Sequence, residues 1–277
     1  MSGWFFLRRR KPVRAPMPGW RVLGAAVSGA SHQRLGVACQ DAIEYRALPG
    51  GLVLIALADG AGSARRSAQG AHWAVTEALR VLETRFRRQP PRQPEAWKVL
   101  IGEAFQQAHR ALNLLAEGDC EPVSEYATTL TCAIAVGDCL AVGQIGDGAV
   151  LARDAAGCWF AATRTQKGEY ANETNFLTRA DALSAVDFQV YQQRITGLAV
   201  MSDGLIRLAL QLPAGIPHSP FCEPLFAFTQ TAADESSANA RLASFLASER
   251  VCARTDDDKS LVLVADLNGS AQRKHSG

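Results

Sequence analysis

No Cys-x-x-Cys pair occurs in the 277 residues, and the seven cysteines (Cys39, Cys120, Cys132, Cys139, Cys158, Cys222 and Cys252) are scattered and odd in number. That argues against a zinc ribbon and against a disulfide framework, and leaves buried free thiols in a reducing compartment as the default. No apolar stretch reaches the roughly 18–20 uncharged residues of a membrane span. The start, Trp4-Phe5-Phe6-Leu7 followed by three arginines, carries its charge on the wrong side of too short an apolar patch for a signal peptide. The expectation is therefore a cytoplasmic protein without an integral membrane segment. Internal repeats and linkers are also missing. The chain reads as a basic N-terminal arm over 1–19, one domain over 20–267 and a frayed tail over 268–277.

What is present describes an ordinary globular protein with a sizeable core, 48% hydrophobic and 20% charged. The net charge of +2 hides an asymmetry, because Arg8, Arg9, Arg10, Lys11 and Arg14 stand in the first twenty residues without one acid. The remaining body is slightly acidic, which is not the footprint of a nucleic-acid binder. The arm, with Pro12, Pro16 and Pro18, reads as a solvated segment.

The chain is organised around Leu-Val-Leu-Ile-Ala-Leu-Ala-Asp-Gly-Ala-Gly at 52–62, an unbroken apolar strand that ends at Asp59. A carboxylate at the rim of an apolar core is costly unless something positive holds it. A strand near Ile43 to Ala47 precedes it across a Pro49-Gly50-Gly51 turn, so Asp41 and Asp59 fall near one end of a hairpin. Apolar residues at three- and four-residue spacing predict helices over about 67–86 and 95–116, an antiparallel pair able to cover one sheet face. Residues 31–36 read as a polar loop. From Ala127 to Ala162 short strands alternate with tight turns and predict a meander. Residues 186–191 and 195–201 read as a further strand pair. Helical patterns near 203–211, 220–229 and 236–248 follow, with a last strand over 260–265.

Four of these elements present an aspartate beside a glycine or polar turn: Asp59-Gly60, Asp147-Gly148, Asp203-Gly204 and Asp257-Asp258. Asp41 makes a fifth. Any one of them is most simply a turn residue. Converging, they would repel one another unless cations intervened. Hard oxygen donors favour Mg²⁺ or Mn²⁺ over zinc, and no His/Cys cluster offers a softer site.

Six motifs then stand in order: Cys39-Gln40-Asp41-Ala42, Ala58-Asp59-Gly60-Ala61-Gly62, Ala127-Thr128-Thr129-Leu130, Ile145-Gly146-Asp147-Gly148, Met201-Ser202-Asp203-Gly204-Leu205 and Asp257-Asp258-Lys259-Ser260. Over roughly residues 20–266 they resemble the metal-dependent (type 2C) serine/threonine protein phosphatases. The stretch over 168–174 resembles that family's compact bacterial branch. The resemblance implies an α+β fold, a four-layer α-β-β-α sandwich of two antiparallel sheets flanked by helix pairs. It implies two Mg²⁺ or Mn²⁺ ions bridged by Asp59, with the Gly60 carbonyl as a further ligand. Asp203 and Asp257 would hold the first ion, Asp41 the second through water, and Asp147 a weaker third. No side chain would act as nucleophile, since a water shared by the two ions attacks in line with the seryl or threonyl leaving oxygen. A phosphorylated protein is the implied substrate, in a bacterial signalling role with a cognate Ser/Thr kinase as a further partner.

The sequence departs from the family at three places. Animal relatives carry a histidine after Asp-Gly that can protonate the leaving group, and here Ala61 stands there. The phosphate-binding arginine five residues before Asp41 is replaced by Gly36, so Arg34, two residues earlier, is the substrate-binding candidate, against a plain surface arginine. Cys39 stands where asparagine or methionine is frequent. His32 is a candidate for orienting water or substrate, against an ordinary loop histidine, while His72 and His109 read as structural. Residues 167–174 are a candidate substrate rim or a plain surface loop. A catalytically weak module that binds a phosphoprotein or partner kinase is the alternative function, and a small-molecule phosphoesterase the third.

Overall fold

The computed structural model describes residues 19–88, 91, 93–164 and 174–267. Residues 1–18, 165–173 and 268–277 lie outside the described residues, and with them nearly all of the expected arm, the expected tail and most of the residues that suggested the compact branch and a substrate rim. The chain begins with β1 (Trp20–Val27), α1 (Ala30–Leu35), β2 (Ala42–Leu48) and β3 (Leu52–Ala58), then the helices α2 (Ser67–Arg88) and α3 (Pro94–Asp119). Strands β4 (Leu130–Val136), β5 (Cys139–Ile145), β6 (Ala149–Asp154), β7 (Trp159–Ala161), β8 (Asp187–Tyr191) and β9 (Ile195–Met201) follow. After α4 (Ile206–Ala209) come a small ribbon of β10 (Leu210–Gln211) and β11 (Ile216–Pro217), then α5 (Ser219–Thr231), α6 (Glu235–Leu246), α7 (Glu249–Cys252) and β12 (Lys259–Asp266).

Two five-stranded sheets carry the fold, in the orders β1-β12-β9-β6-β7 and β2-β3-β4-β5-β8, with every pairing antiparallel. Their facing side chains, among them Val53, Ile55, Val142, Val200 and Val262, make a central core. Alternate residues of β3 point the other way, onto α2 and α3, where Ala74, Leu79, Ile101 and Phe105 are buried. The other sheet turns Leu151, Met201 and Leu263 toward α5 and α6. β3 is buried at all seven positions because both its faces are covered, which explains its unbroken apolar run. Each fully buried leucine or isoleucine contributes about 1.5–3 kcal/mol relative to exposure, so the two helical faces hold their layer firmly. The expected α+β four-layer sandwich is the observed architecture.

Three local expectations are corrected. Residues 30–35 form the short helix α1, closed by Gly36 in the left-handed region, where a polar loop was expected. The region from 130 to 161 is not one meander. β4 and β5 belong to one sheet, β6 and β7 to the other, and the chain crosses between sheets at 146–148. Gly146 has φ 112°, and a Cβ there would lie 2.4 Å from Thr129 Cγ2, so the crossing needs glycine. In the same way β8 and β9 do not pair: β8 edges one sheet and β9 sits inside the other. Strand periodicity reports which face is buried, but a tight turn and a crossing between stacked sheets use the same glycine and aspartate residues.

Candidate metal centre

Strand register brings the five aspartates to one end of the sandwich. In one sheet Ala42 pairs with Ala58 and Leu130 with Ile145, so the residues just outside those pairs, Asp41, Asp59 and the crossing that carries Asp147, are neighbours. In the other sheet Met201 pairs with both Ala149 and Leu261, and Val27 with Lys259. Asp203 and Asp257 therefore emerge at that sheet's corresponding end. The strand ends of both sheets converge, and the carboxylates come with them.

Each buried carboxyl also feels the charge of the others. Burial raises the Asp41 carboxyl, with Asp258 and Asp203 adding to it and the hydroxyls of Ser260 and Ser202 pulling the other way. Burial also raises Asp59, reinforced by Asp41, Asp203 and Asp257. For Asp203, burial acts first, followed by Asp147 and Asp257. The carboxyls of Asp59 and Asp203 thus act on each other directly. Among the described residues, none of the five has a lysine, arginine or histidine salt-bridge partner. Both carboxylate oxygens of Asp41 and Oδ1 of Asp203 are buried without a hydrogen-bond partner. Unpaired buried acceptors of this kind are expensive, and hard divalent cations are what an all-oxygen donor set suits. The residues fit such ions. Among the described residues no three acid, histidine or cysteine side chains converge on one ion-sized point.

The backbone around Asp59 is fixed by the Ala127-Thr128-Thr129-Leu130 motif. Its N–H donates to Thr129 Oγ1 at 2.9 Å, and its carbonyl accepts from Thr129 N at 2.8 Å and Thr128 Oγ1 at 3.0 Å. Gly60 donates to the Gln40 carbonyl at 3.2 Å, and a Cβ at Gly60 would stand 2.7 Å from that same oxygen. The two acid-bearing segments, 40–41 and 59–60, can thus touch only through a glycine. Asp147 accepts from Thr174 Oγ1 at 2.9 Å.

The sequence reading missed Asp258. It is 3% exposed, and its Oδ1 accepts from Gly29 N at 2.6 Å and from the His32 ring at 2.9 Å. Its Oδ2 accepts from Gln40 N at 2.6 Å. Asp258 therefore stitches both ends of segment 29–40 to the stretch that carries Asp257. A polar residue flanked by a ligand candidate and a buried strand was the available signal. His32 is used in this tie. Lys259, fully buried, donates to the Asp257 carbonyl at 3.1 Å and braces the same turn.

Arg34 is not brought to the carboxylates. Its Nε donates to the Ala30 carbonyl of its own helix, and its head lies exposed, 4.0 Å from Asp256. Ala61 packs with Ala64, Ala127 and Phe176 in a small apolar cluster, so that position supplies no proton donor. Burial, then Asp41, pushes the Cys39 thiol up, which keeps it from being a thiolate nucleophile near neutrality. His109 bonds the Leu177 carbonyl at 2.7 Å, a structural use, and His72 is exposed on α2.

The family model for protein phosphatase 2C matches residues 28–247. Serine/threonine-protein phosphatase 3 of Escherichia coli (strain K12) is 33% identical over 260 residues, covering 88% of this chain and 97% of that protein. Among solved structures, the serine/threonine phosphatase Stp1 from Staphylococcus aureus superposes with a TM-score of 0.59 at 13% identity, over 94% of this chain and 99% of that one. The catalytic domain of the serine threonine protein phosphatase PstP, in complex with two manganese ions, gives 0.57 at 17% identity, over 89% and 97%. No helix among the described residues is long and apolar enough to cross a membrane. The conclusion from sequence and architecture together is that the chain belongs to the protein phosphatase 2C family of metal-dependent serine/threonine protein phosphatases.

Proposed function

We propose that the unit over residues 20–267 removes phosphate from phosphoserine and phosphothreonine in a protein substrate, using two Mg²⁺ or Mn²⁺ ions. The observation that carries this reading is the gathering of five aspartates, none with a cationic side-chain partner among the described residues, at the end where the two sheets meet. Asp59 would serve both ions, with the Gly60 carbonyl as a further ligand; Asp203 and Asp257 would hold the first ion, and Asp41 would serve the second, mostly through water. Asp147 would contribute to a third. Bound there, such ions supply an activated water and neutralise the phosphoryl oxygens. The chain's own part is positional. Thr128 and Thr129 hold Asp59 still, Asp258 holds the segment that leads to Asp41, and Gly60 lets the two approach. A bacterial cytoplasm and a cognate Ser/Thr kinase are the setting and partner this reading supports.

The test is manganese-dependent hydrolysis of a phosphothreonine peptide, compared with Asp59→Asn. Turnover in the wild type and a loss of at least about a hundredfold in the variant are expected, given that removing one charge-stabilising group costs 10²–10³ in rate. No turnover with either metal would leave the alternative, a catalytically weak module that binds a phosphoprotein or kinase. The apolar surroundings of Ala61 favour that alternative, and calorimetry showing phosphopeptide binding without hydrolysis would select it. Faster hydrolysis of small phosphate esters than of the peptide would instead select a small-molecule phosphoesterase.

A further inference from the structure

A cavity of about 570 Å³ opens in the helical layer formed by α4 to α7. Its floor is apolar, with Phe221 and Phe245 at a ring separation of 6.5 Å beside Phe228 and Leu242. Its rim carries four arginines, Arg207, Arg241, Arg250 and Arg254, and no acid lines it. Arg241 stacks its guanidinium 4.9 Å from the centre of the Phe228 ring. All four are exposed and, among the described residues, make no salt bridge. His218 adds a further donor at the edge.

Four unpaired guanidiniums around one concavity repel one another, and the arrangement is relieved by a ligand with several negative charges. Arginine forks suit phosphate and carboxylate, and its flat cation stacks on planar rings. The volume falls in the range of small-molecule pockets, which are apolar with a few polar groups to fix orientation. The chain's own terminal segments have the wrong sign: residues 1–18 hold five basic residues and 268–277 hold Arg273 and Lys274, with no acid in either. We propose that this cavity binds a small polyanion with a planar apolar body, the class to which nucleoside triphosphates belong. Its rim is joined to the metal-ligand candidates by short stretches of chain, Arg207 following Asp203 by four residues and Arg254 preceding Asp257 by three. Occupancy therefore also alters turnover, a second part that rests on the phosphatase reading above.

The test is calorimetric titration of the full chain in EDTA with ATP, tripolyphosphate and adenosine, on the wild type and on the double variant Arg207→Ala/Arg250→Ala. Both arginines are exposed, so the variant folds, and a matching melting curve checks this. Saturable ATP binding that weakens at least tenfold in the variant, with tripolyphosphate and adenosine each weaker than ATP, is expected. Equal ATP binding by both proteins, or no saturable binding at millimolar ATP, overturns the site. Tripolyphosphate binding as tightly as ATP overturns the planar-body requirement. For the second part, phosphothreonine peptide hydrolysis in excess Mn²⁺ is measured with and without ATP. An ATP effect in the wild type that is absent in the variant supports the coupling, and equal effects in both refute it. If neither protein hydrolyses the peptide, the phosphatase reading fails, while the titration in EDTA still decides the site.

Discussion

Replacing Asp203 by asparagine is expected to stabilise the metal-free protein and to weaken its response to divalent ions. Burial first, then Asp147 and Asp257, raise the Asp203 carboxyl from 3.8 to about 6. A rise of about two pH units, at about 1.4 kcal/mol each, makes the ionised form cost the folded state about 3 kcal/mol. The sign follows from linkage: a raised value means that the contribution to stability is full below the unfolded value near 4. It declines as pH rises and is lost above about 6. At pH 7.5 the cost is fully present, and Asp203→Asn removes it while keeping an oxygen that can accept from Gly204 N. For a chain of this size, about 2–4 °C per kcal/mol gives a melting temperature higher by about 6–12 °C. Near pH 4 the two proteins should melt together. In the wild type at pH 7.5, an ion at a hundred times its dissociation constant restores about 2.7 kcal/mol, and the variant should recover much less. Thermal denaturation in EDTA at pH 4 to 8, then with Mn²⁺, measures all of this. An Asp203→Asn protein that melts at or below the wild type in EDTA at pH 7.5 would refute the claim that these carboxylates strain the fold.

Asp258→Ala should cost about 3–5 kcal/mol in chemical denaturation, because it strips the acceptor from Gly29 N, Gln40 N and the His32 ring at once; Asp258→Asn, which keeps one acceptor oxygen, should cost less. Arg34→Ala should change the KM for a phosphothreonine peptide by less than about twofold, since the side chain contacts its own helix and an exposed acid, and such surface pairs carry about 0–1 kcal/mol. Gly204→Ala should destabilise the fold by more than about 1–3 kcal/mol in the same denaturation assay, because its methyl would meet the Asp258 carbonyl oxygen at 2.1 Å, backbone that cannot move aside.

Much of the fold was legible because burial writes itself into periodicity. The run Leu52–Ala58 reads as a doubly covered strand, and the faces of α2 and α3 read as one apolar stripe each, since those patterns follow from which side meets the core. The two long helices and the hairpin that sets Asp41 beside Asp59 are therefore visible from residues alone. Sheet membership is not. Gly146-Asp147-Gly148 carries the composition of a hairpin turn, yet the structure uses it to leave one sheet and enter the other. Nothing local distinguishes the two outcomes, because both need a glycine at positive φ and a short polar residue. The difference lies in a partner far along the chain, Met201, which pairs with Ala149 after the crossing.

That same ambiguity explains why the acidic residues were recognisable and their supports were not. A ligand candidate announces itself by a local conflict, a carboxylate at the end of an apolar strand, as Asp59 and Asp203 do. A supporting residue such as Asp258 shows no conflict, since an acid in a polar turn is unremarkable until its three donors, 218 to 229 residues earlier in the chain, come into contact with it. Arg34 failed for the complementary reason. Its sequence distance from Asp41 suggested reach, but the intervening residues fold into α1, and the helix turns its side chain back onto Ala30. Contacts across the sandwich, and not spacing along the chain, decide which charged groups serve the centre.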